Sequence, residues 1–122
     1  MKNISGRWSF NEDFGFGKDV GFAEFTQKED QLSGVVVYTE RIEGETPFRV
    51  EQHVEGTFDG SNFSVTGTKV ELLDCEKVFE YNLDTWEGIL NAKNQIVGHS
   101  HDDHDCFGVF VMEPIELQSE NK

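Results

Sequence analysis

The sequence predicts an all-β fold, an eight-stranded antiparallel up-and-down (meander) β-barrel, and three observations predict it. Apolar and polar residues alternate with period two over long runs. Short segments rich in Gly, Asn and Asp join the runs. The runs are long for a sandwich, and a meander of such strands removes its open edges by closing on itself.

Taken in order, candidate strands cover residues 4–14, 19–28, 31–42, 47–58, 62–72, 78–90, 95–102 and 106–113. The fourth is the clearest. Phe48, Val50, Gln52, Val54, Gly56 and Phe58 alternate with Arg49, Glu51, His53, Glu55 and Thr57, one face dry and one wet. Asp59-Gly60-Ser61-Asn62 then reads as a tight turn, with Gly60 supplying the positive φ. Pro47 and Pro114 fall at strand ends, where a missing donor is tolerated. The segment 69–79 is ambiguous. Leu72, Cys75 and Phe79 fall at helical spacing, so a short helix near 69–79 competes with a continued strand and would cross one rim of the same barrel.

A chain of 122 residues suits one domain, here 1–117 as a single barrel with 118–122 as a C-terminal tail. Eleven Phe bury much area from few positions. The net charge of −14 repels phosphate backbones and anionic lipid, which argues against nucleic acid and membrane surfaces as partners. Lys2, Arg7, Glu12 and Asp13 interrupt any signal-like apolar run, so a cytoplasmic location is expected, with a removed leader left open. Cys75 and Cys106 make no metal motif and are expected as thiols, a disulfide being the alternative in an oxidising compartment. No cofactor motif is present.

Several short motifs carry a resemblance. Ile4-Ser5-Gly6-Arg7-Trp8 holds a Gly-x-Trp start, Gln31-Leu32-Ser33-Gly34 opens the third strand, Val54-Glu55-Gly56-Thr57-Phe58-Asp59 ends the fourth, and Thr85-Trp86-Glu87-Gly88 lies on the sixth. In these the chain resembles the lipocalin/avidin-like (streptavidin-like) group of small barrels. The resemblance implies a ligand-holding lumen with Trp86 facing into it. It also implies where biotin would be read, and there the chain departs. Phe10 stands where the group's first-strand Asn is expected, with Asn11 adjacent. Val35, Val36 and Val37 replace the third-strand polar cluster, and no Trp lies near Cys75. A shared scaffold with a different site is the expectation, and biotin is not the expected ligand.

In a meander, alternate loops gather at opposite ends. The short loops near Glu29-Asp30, Asp59-Gly60 and Asn91–Asn94 share one end with both termini, and residues 15–18, 43–46, 73–77 and 102–106 form the mouth. If Leu90 pairs with Gln95, Trp86 lies opposite His99 and Asp84 opposite His101. The candidate ligand-binding set is then Trp86, Asp84, His99, His101 and Asn82. A three-residue loop would slip the register and turn both histidines outward.

The function expected is therefore binding of a small molecule of unknown identity. Alternatives are a filled barrel acting as a non-catalytic oligomeric interaction protein, or an enzyme or metal-binding barrel. His99, His101 and His104 lie in a run with Asp102, Asp103, Asp105 and Cys106 whose residue types suit zinc, though the spacing matches no established motif. Glu24, Asp84, Glu87 and the histidines are the candidate acids and bases, but nothing marks a nucleophile, a phosphate loop or a zinc-protease site. Phe107, Val109 and Val111 oppose Phe110 and Met112 in phase, so the last strand is apolar on both faces. Self-association through that wall is the expected way to cover the outer one.

Overall fold

The computed structural model describes residues 3–73, 81–102 and 106–115. Eight strands form in chain order: β1 (Gly6–Asp13), β2 (Gly17–Lys28), β3 (Gln31–Ile42), β4 (Phe48–Phe58), β5 (Asn62–Leu73), β6 (Thr85–Leu90), β7 (Ile96–His101) and β8 (Phe107–Pro114). Each pairs antiparallel with the next, and β8 pairs with β1, so the sheet closes into an up-and-down barrel, with β6 covering β5 over Asn62–Thr66. There is no helix among the described residues. Lys69–Leu73 of the ambiguous segment continues β5, while residues 74–80 lie outside the described residues. The sixth strand starts at Thr85, later than the pattern suggested.

Alternation sets what faces in. On β4, Val50, Gln52, Val54 and Phe58 are buried, as period two requires. Phe25, Phe63 and Phe110 fill the end that carries the short turns, with Phe63 stacked 5.5 Å from Phe25 and 6.2 Å from Phe110. The chain before β1 plugs that end. Ile4 is buried, its N–H bonds Gln27 Oε1 at 2.8 Å, and its carbonyl accepts from Trp8 Nε1 at 2.9 Å. Above this layer Phe10 meets Trp86 edge-on at 5.9 Å. Phe22, in contrast, lies on the outer face, where the Arg7 guanidinium covers its ring at 4.4 Å.

The β6–β7 hairpin corrects the expected register. Asn91 N donates to Gln95 O at 2.8 Å and Asn94 N to Asn91 O at 3.0 Å, so Ala92, Lys93 and Asn94 form a three-residue turn. Asn94 takes the left-handed position, φ 63°. Leu90 therefore pairs with Ile96, Trp86 with Ser100, Glu87 with His99 and Thr85 with His101. One residue of slip exchanges the faces of β7: Ser100 points into the barrel and both histidines point out. The outer wall of β8 leaves Phe107 64 %, Val109 55 % and Val111 37 % exposed in the single chain.

Candidate functional site

At the end opposite the plug, the inward phase changes chemistry. Glu12 follows Trp8 and Phe10 on β1, Asp19 precedes Ala23 and Phe25 on β2, and Glu40 follows Val36 and Tyr38 on β3. Asp84 stands two residues before Trp86. These carboxyl groups line a pocket of about 350 Å³ with Asn82, Tyr81, Asp102 and Cys106, under a rim made by Phe14, Phe16, Ile42, Glu45 and Phe48. Phe14 and Phe16 meet edge-on at 4.8 Å, and Phe48 stands 6.2 Å from Tyr81. No Lys, Arg or His among the described residues lines it.

Two networks hold the floor. In the first, Glu12 accepts from Trp86 Nε1 at 2.8 Å and from Ser100 Oγ at 2.7 Å. Gly108 makes room for this, because a Cβ there would stand 2.8 Å from Ser100 Oγ and 3.0 Å from Glu12 Oε2. In the second, Gln52 Nε2 donates to Asp84 Oδ2 at 2.7 Å and to Tyr38 Oη at 2.8 Å. Gln52 Oε1 accepts from Asp84 N at 3.2 Å. Tyr81 gives its proton to Glu40 Oε1 at 2.6 Å, which leaves Tyr38 to donate to Tyr81 across 2.9 Å. The direction of the chain is thus fixed: it starts at an amide and ends on a carboxylate.

Burial dominates the electrostatics. Asp19 sits directly across from Glu40 on the neighbouring strand and hydrogen-bonds with it, which requires a proton between them. Asp19 is only 3 % exposed, and no donor among the described residues reaches its Oδ1. Burial, then the charge of Glu40, push its carboxyl far above the usual range. Burial likewise lifts Asp84 to about 7, against the pull of the Gln52 donor. It raises Glu12 too, against the bonds from Trp86 and Ser100. The Tyr38 phenol is held well above its ordinary value by burial and by the charges of Asp84 and Asp19.

Of the residues expected from sequence, Asp84 and Asn82 line this pocket. Trp86 faces inward as expected but lies wholly buried beneath the floor, where it holds Glu12 rather than bounding the open space. His99 is exposed on the outer wall. His101 is on the same wall, with Nε2 3.7 Å from Glu87 Oε1 and its ring 6.5 Å from Phe107. His104 lies outside the described residues, and among those described no group of three or more His, Cys, Asp or Glu side chains is placed to hold a metal ion. Glu24 and Glu87 are exposed on the outside, Glu24 3.4 Å from Arg7, so neither can serve a lumen as acid or base.

Sequence reasoning missed Glu12, Asp19, Glu40, Tyr38 and Tyr81 as site residues. The signal was present: Glu12, Asp19 and Glu40 occupy the same alternation phase as the apolar side chains before or after them on their strands. A carboxylate on a dry phase is either an error of register or a site. Comparison with protein-family models, with curated proteins and with solved structures gives no match, so the reading of this pocket rests on its own geometry.

Proposed function

We propose that this chain is a small-molecule-binding barrel whose ligand sits in the mouth pocket. The observation that supports it is the contrast along one lumen. Rings fill the lower part, and the upper part leaves about 350 Å³ between an apolar rim and a polar, hydrogen-bonded floor. That volume lies at the small end of ligand pockets, which run from about 300 to 1,000 Å³ and combine apolar walls with a few fixed polar groups. A barrel acting only through its outer wall has no need of buried carboxyl groups, which cost free energy to desolvate. Binding is favoured over catalysis because the floor groups hold one another and no activated nucleophile stands among them.

Cys106 provides the test, since its thiol lines the pocket. In a Cys75→Ser background it is the sole thiol. Small-molecule fragments that raise the melting temperature should also slow alkylation of Cys106 by iodoacetamide. If every stabilising fragment leaves that rate unchanged, or no fragment stabilises the protein, the pocket is not the binding site.

A further inference from the structure

We propose that the mouth pocket takes a compact organic cation, a protonated amine carried on an aromatic or aliphatic body. The inference rests on reading this pocket as the binding site and adds the chemical class of its ligand. Four carboxyl groups, Glu12, Asp19, Glu40 and Asp84, converge on the floor from four segments of chain, and no basic side chain among the described residues answers them. Surface carboxylates meet water, but these are removed from it, with Glu12 8 %, Asp19 3 % and Glu40 9 % exposed. A buried acid that no basic group neutralises is expensive to keep.

Asp19 shows where the partner belongs. Its side chain lines the pocket, yet Oδ1 receives no donor from the described protein. An ammonium group brings three donors, enough for Asp19 Oδ1 and neighbouring acceptors at once. The neighbours are poised as acceptors. Tyr81 already donates a hydrogen bond to Glu40, so the hydroxyl chain points toward the acid and leaves Glu40 as the acceptor at its end. Among the described residues the carboxyl groups are not arranged as a metal cage, which favours a cation spread over a larger volume. The rim supplies the rest of the recognition. Phe14, Phe16 and Phe48 offer ring faces and edges to an apolar body or to the cation as it enters.

Binding of a cation then draws protons off the floor. Glu12 from β1, Asp19 from β2, Glu40 from β3, Glu45 from the β3–β4 connection, Tyr81 and Asp84 from the segment before β6, and Asp102 and Cys106 from the β7–β8 connection all face this space, and the Tyr38 hydroxyl lies behind it between Gln52 and Tyr81. Burial keeps some of those carboxyls protonated in the empty pocket, Asp84 titrating at about 7. A positive charge beside them favours the ionised form. The amine should therefore bind with net proton release.

The probes are 2-phenylethylamine and its neutral counterpart 2-phenylethanol, titrated by calorimetry into the full chain near neutral pH in two buffers of different ionisation heat. The amine is expected to bind at least about tenfold more tightly than the alcohol, and to release protons. Asp19→Asn and, separately, Glu40→Gln should each weaken the amine by about tenfold and leave the alcohol unchanged. Each variant alters the net charge of −14 by one, so long-range attraction is nearly constant and a loss reports contact. Equal affinity for amine and alcohol overturns the cation while leaving the pocket as a binding site. A preference for the amine that survives both folded variants overturns it too, since the cation then binds elsewhere. If neither probe binds at millimolar concentration the cation inference fails, and protection of Cys106 decides separately whether the pocket binds anything.

Discussion

Two aspartates at opposite ends of the barrel behave in opposite ways. Asp59 sits in the β4–β5 turn at the plugged end, fully exposed, where Oδ1 accepts from Ser61 N at 2.9 Å and Asn62 N at 2.7 Å. Bonds from Asn62, first its side chain, hold that carboxyl at about 2. Asp84 at the mouth also accepts a good hydrogen bond, yet burial carries it up to about 7. Hydrogen bonds decide the outcome in water, and the Gln52 donor cannot decide it out of water. The halves around them differ in the same sense. The plugged half is rings packed on rings, with its polar groups kept to the turns. The mouth half has acids on the inward phase and gives up stability to keep them there.

The sharpest way to test that division is to remove one side chain from each half. Phe63 touches both Phe25 and Phe110, so Phe63→Ala leaves a cavity and should cost roughly 3–5 kcal/mol in urea unfolding. Asp19→Asn keeps the shape and puts a neutral amide where burial and Glu40 hold the carboxyl protonated. It should leave the protein as stable as before or more so. If the mouth variant loses as much as the core variant, the acids are structural and the contrast between the halves collapses.

The next effect is in pH. Asp84 has a folded value raised to about 7 from an ordinary 3.8. The folded state then holds more protons than the unfolded one between those values, so stability is fully present below about pH 4 and is lost as pH rises through about 7. Asp19 and Glu12 are raised as well and act in the same direction. Each tenfold of proton affinity corresponds to about 1.4 kcal/mol, which makes the fall a few kcal/mol, trimmed by screening where the pocket opens. Melting temperature should therefore drop from about pH 5 to about pH 8, and Asp84→Asn should flatten the slope. A wild-type curve that rises over that range contradicts the placement of protonated acids in the mouth.

The barrel was legible in the sequence because its signal is distributed. Every strand repeats the same period, and β4 alone shows which residues face in. The site was legible only in part. Asp84 and Asn82 were reached through Trp86, whose inward direction was expected correctly although its role was not. Glu12, Asp19 and Glu40 were passed over because 24 acidic residues make any one of them look like surface. Only the phase relative to Phe10, Ala23 and Tyr38 separates them from Glu24 or Glu87. The histidines failed for a local reason. A register is a single number, and one turn sets it for a whole hairpin.

That turn gives the smallest and most specific prediction. In the loop 91–95, Asn91 accepts through Oδ1 from Lys93 N at 2.9 Å and Gln95 N at 3.0 Å, and Asn94 occupies φ 63°. A three-residue turn closing with a left-handed residue suits Asn or Gly and excludes branched side chains. Asn94 gains little from its own side chain, since Oδ1 is buried with no partner among the described residues. Asn94→Gly should thus change stability by no more than a few tenths of a kcal/mol, roughly 0.3, in either direction. Asn94→Val forces a β-branched residue into the left-handed region and should cost about 1–2 kcal/mol. Neither change should alter the facing of β7, because Ser100 is tied to Glu12 at 2.7 Å and a slipped register would drive His99 and His101 into the lumen in its place. The readout is the accessibility of the His99 and His101 ring protons to a soluble paramagnetic probe by NMR. If these imidazoles in the Gly variant stay open to solvent, the outward register holds. If either becomes protected, the Ser100–Glu12 bond does not hold the register and the turn residue alone controls the facing of β7.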